Sequence, residues 1–152
     1  MTAARYERRR FVYWLLPTVY CLLLFPSCAV DERHGVPAAA QATVERVTED
    51  IAAGRDEKVY GEAAPEWRAQ VSSEENARIL GRVRERLGRV ESRALTKGTE
   101  QQSASAPLSG HALELFYSTR FERGSATERF TRLERGGEWL LAGYTVSSDA
   151  LK

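Results

Sequence analysis

The sequence predicts an α+β domain in which N-terminal helices pack on a curved antiparallel sheet of three to four strands. Three observations predict it. From Ala38 to Leu87 apolar residues recur three and four apart, the period of a helix with one buried face. From His111 to Val146 the spacing falls to two, the period of a half-buried strand. The chain has 152 residues, 43% of them hydrophobic, which suits one packed domain and is too apolar for a disordered chain.

The first residues are of another kind. Arg5, Arg8, Arg9 and Arg10 precede the apolar run from Phe11 to Phe25, and no charged residue lies between Phe11 and Val30. A run of 15 residues, interrupted by Pro17, matches the apolar region of an export signal better than a membrane span of about 20 residues. Leu24-Phe25-Pro26-Ser27-Cys28 resembles a bacterial lipobox, with a small residue before the cysteine. The resemblance implies that the Cys28 thiol receives a lipid and that residues 1–27 are removed. Acylation requires a thiol because the thiolate is the nucleophile, and two or three acyl chains anchor stably where one is marginal. The alternatives are an uncleaved anchor with its arginines inside and ordinary cleaved secretion. Glu7-Arg8-Arg9-Arg10-Phe11-Val12 also resembles a twin-arginine signal, although the hydrophobicity that follows favours the general secretory route. Residues 28–37 then form a lipidated cysteine and tether, and residues 38–152 the single domain. His34, alone in the tether, is no metal site.

Each element of the domain has its own signal. Ala38–Ala53 is a helix with Val44, Val47 and Ile51 inward, stopped by Gly54. Asp56–Ala69 is helical with a break at Pro65. Ser72 and Glu75 suit a capping box that opens a third helix, whose apolar face is Ile79, Leu80, Val83 and Leu87 and whose stop is Gly88. Arg78, Arg82, Arg86 and Arg89 form a stripe on that helix. Glu74–Arg78 and Glu85–Arg89 stand four apart, so a solvated, ion-paired face is favoured over an anion-binding one. Val90–Leu95 starts a strand, and Thr96–Gly110, rich in Ser, Gln, Gly and Pro, reads as a loop or a poorly ordered strand pair. His111–Arg123 alternates, with Leu113, Leu115, Tyr117 and Phe121 inward. Ala126–Arg135 returns with Phe130 and Leu133 as its apolar points. Gly136-Gly137 is a hairpin turn. Glu138–Val146 is apolar on both faces, which predicts a central strand.

These elements carry a family resemblance. Tyr60 to Trp67, the helix ending Arg86-Leu87-Gly88, the Ser92-Arg93 pair, the strand Leu115-Phe116-Tyr117-Ser118-Thr119-Arg120-Phe121, and Glu128-Arg129-Phe130 through Trp139 to Gly143-Tyr144 are similar to the nuclear-transport-factor-2-like superfamily, a cone of helices wrapped by a curved sheet. More narrowly, residues 44–148 resemble the bacterial extracytoplasmic family called domain of unknown function 4019. The resemblance implies a fold and not an activity, since this superfamily hosts enzymes, ligand binders and assembly modules.

The residues themselves favour a non-enzyme with no metal and no cofactor. The sequence contains no HExxH, GxSxG, CxxC or glycine-rich phosphate loop. His111 falls at a strand start, and Glu114 and Glu128 fall on strand faces read as charged, so no acid or base is expected in an apolar setting. The chain carries 22 basic and 21 acidic residues; without residues 1–27 the counts become 18 and 20. That balance argues against nucleic acid as a partner. Tyr60, Trp67, Phe116, Tyr117, Trp139 and Tyr144 are candidates for a pocket or partner surface, unless they are simply core. Phe116 points to the polar side of its strand.

The function expected is that of a membrane-tethered, non-enzymatic binding or accessory domain of the cell envelope, contacting an envelope protein or a cell-wall component. One alternative is an inhibitor or immunity lipoprotein that inserts the Lys97–Ser109 segment into a toxin or hydrolase. Another is a carrier holding a small ligand in the cone. Ala29 after Cys28 resembles the outer-membrane sorting pattern, which would place the domain in the periplasm of a two-membrane cell.

Overall fold

Helix α1, Ala38–Ala52, follows the predicted stripe: Ala40, Val44, Val47 and Ile51 are buried on one face. Asp50 lies on that face too, and its carboxylate meets Arg55 at 2.6 Å and Lys58 at 3.0 Å. The computed structural model describes residues 35–103 and 109–152. The export signal, Cys28 and His34 lie outside the described residues.

The break at Pro65 divides the second helical stretch into α2, Asp56–Gly61, and α3, Pro65–Gln70. Proline takes the first helical position of α3, where its missing N–H costs nothing. Helix α4, Ser73–Leu87, begins where the Glu75 amide donates to the Ser72 hydroxyl at 3.2 Å. The reciprocal half of the capping box does not form, because the Glu75 carboxylate accepts from Arg78 instead. Arg84 ties the helices together: its guanidinium donates to both Asp56 oxygens at 2.6 Å and to the Ile51 carbonyl at 3.0 Å. Gly88 ends α4 at φ 77°, and a Cβ there would lie 2.5 Å from a Glu122 carboxylate oxygen. Only glycine suits both the conformation and the space.

Strands β1 (Val90–Ser103), β2 (Gly110–Phe121), β3 (Gly124–Arg135) and β4 (Glu138–Ser147) form one antiparallel sheet in the order β1-β2-β3-β4. The fold is α+β, helices first and an open four-stranded sheet after them. Gly136 and Gly137, at φ 61° and 85°, make the two-residue turn between β3 and β4.

Three expectations are corrected here. Of the two readings of Thr96–Gly110, the loop is set aside for Lys97–Ser103, which is strand paired residue for residue with Gly110–Phe116. Polar residues are tolerated because strand pairing satisfies their backbone whatever their side chains. Residues 104–108 of the same segment lie outside the described residues. Strand β4 is an edge and not a centre. It is apolar on both sides because Trp139, Leu141 and Tyr144 enter the main core while Leu140 and Ala142 join Ala64, Ala112 and Leu133 in a second cluster. Its free edge is covered where the Ala64 amide donates to the Leu141 carbonyl at 2.7 Å, which blunts an otherwise open edge. Glu128, assigned to a charged face, is fully buried. Ala126, Glu128, Phe130 and Arg132 share the inward face of β3, since their β2 partners are Thr119, Tyr117, Leu115 and Leu113. Phe130 and Leu133 are three apart and so face opposite sides.

Candidate functional site

A cavity of about 700 Å³ opens between α1, the α2–α3 segment and the turn into β4. Each bordering element contributes because of its own periodicity. Thr43, Arg46 and Val47 come from one side of α1; Val59, Ala63 and Arg68 come from the α2–α3 segment; Trp139 and Leu141 come from the inward positions of β4. A register shift between Thr131 and Arg132 leaves Ala142 as an extra residue on β4, so Leu141 pairs with Arg132. That bulge puts Arg132, at 0% exposure, in the cavity wall.

Arg132 is the unusual group. Nε, Nη1 and Nη2 are all buried without a hydrogen-bond partner among the described residues. Its guanidinium carbon lies 5.8 Å from the Phe130 ring centroid, a cation–π contact that compensates only part of the lost hydration. Burial pushes its pKa down to about 9; the Tyr117 hydroxyl works against that shift and the like charge of Arg46 adds to it. Arg46 and Arg68 are exposed at the mouth. Neither they nor Arg132 meets a carboxylate within ion-pair distance among the described residues, whereas Glu62, also in the wall, is 3.9 Å from Lys58.

A second buried polar group behaves differently. Glu128 accepts from Arg93 at 2.7 and 3.1 Å, from the Tyr144 hydroxyl at 2.7 Å and from the Thr119 hydroxyl. A carboxylate so fully served holds β1, β2, β3 and β4 together. Burial, and then the Glu128 charge and hydrogen bond, hold the Tyr144 hydroxyl well above its ordinary pKa. At the other end of the sheet His111 sits between Glu134, 2.6 Å from Nδ1, and Glu100 at Nε2, with its ring 4.9 Å from Trp139. Hydrogen bonding to Glu134 and then to Glu100 raises the His111 pKa.

The six aromatic candidates do not converge. Trp139 lines the large cavity. Tyr117 and Tyr144 flank Phe130 at 5.7 and 4.9 Å between ring centroids and belong to the core. Tyr60 reaches only the Arg68 carbonyl at 3.4 Å, and Trp67 packs against the core with its Nε1 buried and unpartnered among the described residues. Phe116 lies on the outer face under Lys97, whose Nζ is 5.9 Å from the ring. Half of the arginine stripe is ion-paired: Arg78 pairs with Glu75 and Arg89, just past α4, with Glu122, not with the partners expected from four-residue spacing, and Arg82 and Arg86 meet no carboxylate within ion-pair distance among the described residues. Arg132 and Glu128 escaped the sequence reading. The signal that finds both is their even spacing from Phe130, which assigns them to the inward face of a strand.

A family model described as protein of unknown function (DUF4019) matches residues 41–144. The chain belongs to that family. The match runs from α1 to Tyr144 and so contains Arg132, Glu128 and nearly all of the cavity wall. A search of curated proteins finds no match to this chain. Among the described residues, no three His, Cys, Asp or Glu side chains are grouped to hold a metal, and no helix is long and apolar enough to cross a membrane.

Proposed function

We propose that this chain is a membrane-tethered, extracytoplasmic, non-enzymatic binding domain of the cell envelope, and that it holds a small molecule in the cavity beneath α1. The cavity carries the proposal. About 700 Å³ falls within the range of small-molecule sites, which pair apolar walls with a few placed polar groups. The helices and sheet form, on this account, the cone of the nuclear-transport-factor-2-like superfamily, with the cavity at its mouth. The described lining offers three arginines, and its two glutamates, Glu62 and Glu138, are exposed at the mouth, so the one charged group inside is a guanidinium, a group suited to holding an anion rather than to moving protons.

The tether rests on Cys28 in its lipobox-like setting, with the domain facing the periplasm if the cell has two membranes. Cys28→Ser should leave the precursor mass uncleaved and unacylated; an unchanged mature mass would refute the lipid anchor. In the inhibitor alternative the Lys97–Ser109 segment would insert as one arm of a hairpin, since Lys97–Ser103 pairs with Gly110–Phe116.

Native mass spectrometry of the full chain extracted from membranes tests the binding function. A co-purifying small molecule is expected with wild type and not with Gly61→Phe. Gly61 lines the cavity, and a Cβ there meets nothing within 4 Å, so phenylalanine should fill the space without displacing backbone. The same occupancy in both proteins would refute a ligand in this cavity.

A further inference from the structure

We propose that the ligand of this cavity is a small organic carboxylate, a monoanionic head on an apolar body, and that Arg132 is the residue that binds the head. The inference rests on the cavity being a binding site and adds what it selects.

A buried charge is stable only when paired or hydrogen-bonded. Glu128 meets that rule four times over; Arg132, four residues along on the same face with Phe130 between them, meets it nowhere among the described residues. The fold therefore retains a guanidinium where an apolar side chain would pack more cheaply, and it retains it in the wall of a cavity of about 700 Å³. A carboxylate can accept two parallel N–H bonds from the guanidinium fork. Burial also decides the charge of the partner: a monoanion neutralises Arg132, whereas a phosphate dianion leaves a negative charge facing Val47, Val59, Trp139 and Leu141. Those four side chains receive the apolar body. At the mouth the exposed Arg46 and Arg68 stand against the exposed Glu62 and Glu138, so Arg132 is the cation that leaves the lining net positive and favours an anion. Because Arg132 is fully buried, its guanidinium has to swing into the cavity, and binding should therefore be slower than diffusion.

Isothermal titration of the full chain in lipid nanodiscs, with empty nanodiscs subtracted, tests this with four probes of one shape: 4-phenylbutyrate, 4-phenylbutanol, 4-phenylbutylamine and 4-phenylbutyl phosphate. The acid should bind at least tenfold tighter than the alcohol, and the amine weakest. Arg132→Met should bring acid and alcohol within threefold while alcohol binding persists; Arg132→Lys should restore part of the preference. The comparison in wild type stands even if a variant fails to fold. Alcohol binding equal to acid binding overturns the carboxylate inference and leaves the cavity as a site. Tenfold preference for the phosphate overturns the monoanion. No binding of any probe overturns both the inference and the cavity reading.

Discussion

Replacing Arg132 by methionine should make the protein more stable. Burial lowers the guanidinium pKa from the ordinary arginine range to about 9. At about 1.4 kcal/mol per pKa unit, the charged form is held in the fold at a cost of about 5 kcal/mol. The Phe130 ring at 5.8 Å returns about 1–2 kcal/mol. Methionine has similar length, carries no charge and packs against the same neighbours. The expected gain is about 3–4 kcal/mol, in line with other buried ions exchanged for apolar groups. With a urea slope of about 1–2 kcal/mol per molar, the unfolding midpoint should rise by roughly 1.5–4 M. The assay is equilibrium urea unfolding of residues 29–152 at pH 7 without added ligand, followed by tryptophan fluorescence. The pH dependence has a definite sign. A depressed arginine pKa means that the unfolded chain binds the proton more tightly, so the penalty is complete below about 9 and fades as pH rises toward the unfolded value. Destabilisation of Arg132→Met by 1 kcal/mol or more would refute the view that this guanidinium is uncompensated in the empty cavity.

Glu128→Gln should cost about 3–5 kcal/mol, because it strands the Arg93 charge on the inner face; urea unfolding measures it, and a loss under 1 kcal/mol would contradict the buried pair. The Asp50 carboxyl is held below its ordinary pKa: burial opposes ionisation, and the hydrogen bonds and charges of Arg55 and Lys58 together outweigh it. Its contribution is therefore present above the unfolded carboxyl value and is lost as pH falls through the folded one, and Asp50→Asn should flatten that acid limb of a Tm–pH curve. His111 has the opposite sign. Bonding to Glu134 and Glu100 raises its pKa, so its stabilisation is complete below the unfolded histidine value and is lost as pH rises through the folded one. An NMR titration should place His111 above 6.5, and Glu134→Gln should lower it.

The helices were legible because each carried a local signal: the stripe of α1, proline at the start of α3, the Ser72 cap and the Gly88 stop. Strands with regular alternation were legible for the same reason, as in Leu113-Leu115-Tyr117. What failed depended on neighbours distant in sequence. Thr96–Ser103 has loop composition, and β2 makes it a strand. The two-sided apolarity of β4 suggests a centre, and the Ala64 cover allows it to be an edge. The candidate site was the least legible part. Sequence reading sought aromatics, whereas the cavity is distinguished by a charged residue on an inward position, where charge counts as a sign of exposure. The lone arginine and the satisfied glutamate of β3 look alike in sequence; only the packing of α1 and β4 separates them.

The most direct test of the central claim is the Nε–Hε NMR signal of Arg132 in uniformly 15N-labelled protein, assigned by its loss in Arg132→Met. Addition of 4-phenylbutyrate should move that signal downfield and protect its proton from exchange, while 4-phenylbutanol leaves it in place. A response confined to the exposed arginines, with the Arg132 signal unmoved at saturating acid, would contradict a carboxylate held by Arg132.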